Sequence, residues 1–108
     1  MTTTSRIPHL ADAFFKGLEE QCKLRPQRRG YNHDENGKPE LEWITKEREF
    51  MLQQVNIERA GLLKSKLSME SIRRVETMAV GHSDYTRKFA IYCAELVLFA
   101  NDAGEIRS

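Results

Sequence analysis

The stretch 89–100 constrains this chain more than any other, because it is apolar on nearly every side. At about 100° per residue, Tyr85, Phe89, Tyr92, Leu96, Phe99 and Ala103 form one helical stripe, and Ile91, Ala94 and Leu98 form a second on the far side. Only Lys88 and Glu95 mark a polar strip. A helix apolar around its circumference has to be buried on each face. The rest of the chain, a second copy or a partner must therefore cover it. The helix is expected over 83–104, with Ser83 or Asp84 capping its start and Gly104 closing it.

What precedes supplies the cover. Residues 1–7 read as a polar tail, and Pro8 suits the first turn of a helix over 8–24 that ends before Pro26. Its apolar face is Leu10, Ala11, Phe14, Phe15, Leu18 and Cys22; Asp12, Lys16, Glu19, Glu20 and Lys23 lie opposite. Segment 25–38 breaks the pattern with Pro26, Gly30 and the turn-prone pair Asn36 and Gly37. It reads as an exposed loop, or as a short hairpin facing Tyr31 and His33 against Leu41 and Trp43.

A long helix over 39–67 follows, with Trp43, Ile44, Phe50, Met51, Val55, Ile57, Gly61 and Leu62 on a wide apolar face and Lys46, Arg48, Glu49, Gln53, Arg59 and Lys64 outside it. Leu52 and Leu63 form a smaller patch off that stripe. Gly61 costs about 1 kcal/mol against alanine in a helix, which implies either a close helix approach or a break near 60–61. Ser68 is the expected cap of a third helix over 69–80, with Met69, Ile72, Val75, Ala79 and Val80 inward and Gly81 ending it in the left-handed region. The chain therefore reads as all-α: a small four-helix bundle around an apolar C-terminal central helix, one domain over 8–104, and a short tail at 105–108.

Composition narrows function more than it identifies it. Seventeen basic and 16 acidic residues leave a net charge of +1, against an acidic nucleic-acid mimic or a protein held to phosphate by charge alone. Cys22 and Cys93 fall on predicted core faces and read as reduced thiols. The N-terminus lacks the apolar core of a secretory signal, and 89–100 is too short to span a bilayer, so a cytoplasmic location is expected. His9, His33, His82, Cys22 and Cys93 show no metal-ligand spacing, and His33 with Asp34 and Glu35 reads as a solvated loop cluster. No nucleophile elbow or phosphate loop occurs, and His82, Ser83 and Asp84 read as a turn and cap. No enzyme activity, metal or cofactor is expected.

Nucleic-acid binding is the competing reading. Lys23, Arg25, Arg28 and Arg29, with Tyr31 for stacking and Arg73 and Arg74 extending the patch, would supply the phosphate contacts. The last two helices have a helix-turn-helix outline, but the second is the most apolar segment, and a recognition helix presents polar side chains to bases. Arg87 stands where a buried aliphatic is expected.

The favoured expectation is a protein-protein interaction module, a regulator or accessory factor of the kind found among phages and other mobile elements, forming a homodimer or binding another protein. Trp43, Leu52, Leu63, Arg25, Arg28 and Arg29 are its expected contact residues.

Overall fold

The computed structural model describes residues 3–21 and 38–106, with side chains over 6–21 and 44–106. Four helices pack together: α1, Thr3–Gln21; α2, Lys38–Gly61; α3, Met69–Ala79; α4, Tyr85–Phe99. Among the described residues there is no strand, only an isolated antiparallel bridge between Ala100 and Ile106. The loop or hairpin expected over 25–37, together with Cys22, Lys23, Arg25, Arg28, Arg29, Tyr31 and His33, lies outside the described residues.

The apolar C-terminal helix is the centre of the bundle. α4 packs against all three other helices, most extensively against α1, while α1 and α3 do not touch. Phe89, Ala90, Cys93, Ala94, Leu96, Val97 and Leu98 are buried, Tyr85, Ile91 and Tyr92 half-buried, and only Phe99 is exposed. α4 ends at Phe99, short of the 103–104 expected. Asn101 accounts for the early stop: its Oδ1 accepts the Ala103 and Glu105 N–H groups at 3.0 and 2.9 Å, a local bond that competes with helix propagation. The chain turns through Gly104 (φ 82°) and returns to pair Ile106 with Ala100, so 105–106 are folded back rather than trailing.

α1 starts at Thr3, ahead of Pro8, so 3–7 are helical and not a tail. Ile7 packs against the core and gives the added turn a hold. Leu10, Ala11, Phe14 and Leu18 are buried as their spacing predicts. Gly17 makes room for α2, since a β-carbon there would overlap the Phe50 ring. Arg87 of α4, expected in an aliphatic's place, lies half-exposed with its guanidinium 4.1 Å over the Phe15 ring and 3.4 Å from Asp12. The arginine stem thus covers apolar surface while its head stays wet.

α2 departs furthest from expectation. Its buried seam runs every fourth residue through Glu47, Met51, Val55 and Arg59, so Arg59 is 1% exposed rather than outward, while Ile57, expected inside, is 56% exposed. Leu52 packs against the core. The helix breaks at Gly61, and no atom lies within 4 Å of a β-carbon built there, so a close helix approach does not explain this glycine. α3 buries Ile72, Val75 and Ala79 but leaves Val80 exposed, and Gly81 takes φ 98°. Ser68 and Asp84 occupy the N-cap positions without side-chain cap bonds. Their carbonyls accept the Ser71 and Lys88 N–H groups instead.

Candidate functional site

The connection 62–67 places one apolar side chain in water and fastens everything around it. α2 ends in a Schellman motif: the Lys64 N–H bonds the Arg59 carbonyl at 2.9 Å and the Leu63 N–H bonds the Ala60 carbonyl at 3.0 Å. The residue at C′ of such a motif must be left-handed, the position where glycine is preferred. Here it is Leu63, at φ 60° and 94% exposed. Lys64 Nζ donates to the Leu98 carbonyl at 2.8 Å. Arg59 Nε donates to the Ser65 carbonyl at 2.7 Å, and Ser65 Oγ to Asp102 Oδ1 at 2.8 Å. Asn56 brackets Leu67 through its N–H and its carbonyl at 2.8 and 3.1 Å. Leu63 is therefore displayed on a turn held from both sides.

A second feature is a groove of about 500 Å³ between α3, α4 and the C-terminal turn. Val75 and Leu96, both buried, form its floor; Arg74 and Met78 stand on one wall, Glu95 on the other, and Glu105 and Ile106 close the end. Partial burial raises the Glu95 carboxyl from its ordinary value. Arg74 Nη1 donates to the Gly104 carbonyl at 3.4 Å. Asn101 Nδ2 donates to Glu105 Oε1 at 3.2 Å.

The polar interior is structural in character. Arg48 donates from Nε and Nη2 to Glu76 Oε1 at 2.8 and 2.7 Å, and Tyr85 Oη donates to Oε2 at 3.4 Å. Beside this cluster Cys93 is wholly buried, and desolvation, with a contribution from the Glu76 charge, pushes its thiol well up. A thiol held protonated in apolar surroundings is a poor nucleophile. His9 and His82 are exposed, and among the described residues no three His, Cys, Asp or Glu side chains gather as metal ligands. No helix among the described residues is long and apolar enough to cross a membrane.

Of the expected contact residues, Leu63 is exposed, Leu52 is half-buried on the core, and Trp43 belongs to α2 by its backbone. Arg73 and Arg74 are both exposed on α3, but Arg74 is engaged by the C-terminal turn. The sequence reading missed Arg59, Glu47, Asn101 and the groove. The chain has no significant match among protein-family models, curated proteins or solved structures. The functional reading therefore rests on these residues alone.

Proposed function

We propose that this chain is a small, non-enzymatic protein-protein interaction module, a regulator or accessory factor that binds another protein and modulates it, with the Leu63 turn as its point of contact. The observation that carries this reading is the coincidence of strain and exposure at one residue. A left-handed leucine costs roughly 1–2 kcal/mol, and at 94% exposure its side chain buries almost nothing within the chain. Folding alone favours glycine there. An apolar anchor on a turn already fixed by Arg59, Lys64, Ser65 and Asn56 instead suits a binding surface, because little ordering entropy is lost when it docks.

The test is capture from the source cells with the full chain and with Leu63→Gly, a change that keeps the turn and removes the anchor. Proteins retained by the wild type and lost with the variant are expected; an identical set at equal yield overturns the reading. Phosphate binding through Arg73 with the 23–29 segment makes the opposite prediction. Under it, a gel shift would weaken steeply with salt and would be indifferent to Leu63→Gly.

A further inference from the structure

The left-handed backbone at Leu63 is held from the far end of the chain. A residue other than glycine keeps such a conformation only where its surroundings over-determine it. The Leu63 and Lys64 N–H bonds at the end of α2 set the conformation, and three side-chain links fasten the next residues to α4 and the turn after it. Lys64 Nζ reaches the Leu98 carbonyl; Arg59 joins the Ser65 carbonyl to those of Leu96 and Ala100; Ser65 Oγ reaches Asp102. Of these links, the one to Asp102 is the exposed one, and it alone ends on a side chain of the C-terminal turn.

Ser65 stands between two charges. Its hydroxyl accepts from Arg59 Nη2 at 3.4 Å and donates to Asp102 Oδ1 at 2.8 Å. A hydroxyl that links a guanidinium to a carboxylate is polarised from both sides, and a bond to an ionised acceptor is roughly twice as strong as a neutral one. Such a bond is of the same order as the strain of a left-handed leucine, so it can decide whether that conformation persists. Among the described residues, the Asp102 carboxylate makes no other hydrogen bond or ion pair. Its own turn holds it in place: Asn101 Oδ1 accepts the Ala103 and Glu105 N–H groups, and the Gly104 N–H bonds the Asn101 carbonyl at 2.9 Å. We propose that Asp102 is a positioning residue for the Leu63 contact, and that the C-terminal turn, by holding or releasing Ser65, governs how firmly Leu63 is presented. This regulation rests on the reading of Leu63 as the point of contact. With the latch closed the anchor docks at little entropic cost; with it open the turn has to be ordered on binding, and affinity falls.

Amide hydrogen exchange of the full chain, followed by NMR at the Leu63 and Lys64 N–H groups, tests the latch without any partner. Asp102→Ala and Ser65→Ala should each speed exchange there by about tenfold, while the α4 amides around Cys93 keep their rates. The double variant should exchange no faster than either single one. Asp102→Asn keeps an acceptor oxygen in place and should restore much of the protection. If Asp102 acted only through its charge on the buried Arg59, the order would reverse: Asp102→Asn would match Asp102→Ala, and Ser65→Ala would match the wild type. That order overturns the proposal, and so do unchanged rates in Asp102→Ala. Proteins lost with Leu63→Gly should be captured more weakly by Asp102→Ala and Ser65→Ala; full capture by variants whose turn has opened also overturns it. If Leu63→Gly loses nothing, it is the contact reading that falls, and the exchange rates judge Asp102 separately.

Discussion

Arg59 and Ala100, far apart in sequence, meet where α4 ends: the arginine's Nη1 donates to the Ala100 carbonyl at 3.0 Å and to the Leu96 carbonyl at 2.9 Å. The last carbonyls of a helix have no intrahelical partners and carry the negative end of its dipole. A buried guanidinium from α2 bonds the Ala100 carbonyl at the C-cap and adds a second bond to the Leu96 carbonyl, which also accepts the Ala100 N–H at 3.4 Å, while Nε fixes the turn at Ser65. Burial works against the charge on Arg59 and Asp102 partly offsets it.

Arg59→Ala is therefore expected to leave the buried Ala100 carbonyl without its donor, remove bonds to Leu96 and Ser65, and lower stability by about 3 kcal/mol. Arg59→Lys should recover only a minor part, because one ammonium cannot span α4 and Ser65 together. Urea denaturation of the three proteins checks both; a lysine variant as stable as the wild type would show that charge alone suffices.

The same arginine marks what the sequence could and could not reveal. α4 was legible because a helix apolar all round has one solution, and α1 because Leu10, Phe14 and Leu18 repeat cleanly. Arg59 was not, because its burial is decided by carbonyls of a helix over 30 residues away, and no local pattern carries that information. Ile57 is the mirror case: apolar by type, yet carried outward once Met51, Val55 and Arg59 set the inward seam. The end of α4 was misplaced because Asn101 offers the backbone a local bond stronger than propensity. The groove needs α3, α4 and the C-terminal turn together, so no single segment announces it. Leu63 could be named as an apolar residue off the stripe, but its left-handed backbone followed only from where α2 stops.

Cys93 gives the fold an alkaline limit. Its thiol is held protonated in the folded state, whereas in the unfolded chain it ionises near an ordinary thiol value, roughly 8.5. Below that value both states hold the proton and the group contributes no slope. Above it the unfolded state alone releases the proton, so stability falls as pH rises. The difference in unfolding free energy between wild type and Cys93→Ala is expected to be constant at neutral pH and to shrink progressively above about pH 8.5. Iodoacetamide labelling mapped by mass spectrometry should leave Cys93 unmodified until the chain unfolds; rapid native labelling contradicts the burial.

Two glycines should respond oppositely to alanine. At Gly61 a β-carbon meets nothing within 4 Å and the backbone needs no positive φ, so Gly61→Ala should stabilise by up to about 1 kcal/mol. At Gly104 the φ of 82° disfavours any side chain, and a β-carbon would collide with Ser71 Oγ. Gly104→Ala should destabilise by about 1–2 kcal/mol and disturb the Ile106 side of the groove. Thermal melts of both variants check the signs, and equal shifts would contradict the geometry at Gly104.

Leu63→Gly separates folding from binding in one substitution. Glycine takes the left-handed C′ position without the β-carbon clash, but it also enlarges the entropy of the unfolded chain. The clash is worth roughly 1–2 kcal/mol and the entropy of a leucine-to-glycine change somewhat under 1 kcal/mol. Because Leu63 buries almost nothing, no packing is lost. The variant is thus expected to be as stable as the wild type or more so, by up to about 1 kcal/mol, measured by urea denaturation at neutral pH. A gain in stability accompanied by loss of partner capture is the pattern of a residue kept for contact at the expense of the fold. A variant clearly less stable than the wild type would mean that Leu63 makes a folding contribution, and its exposure would then no longer argue for a partner.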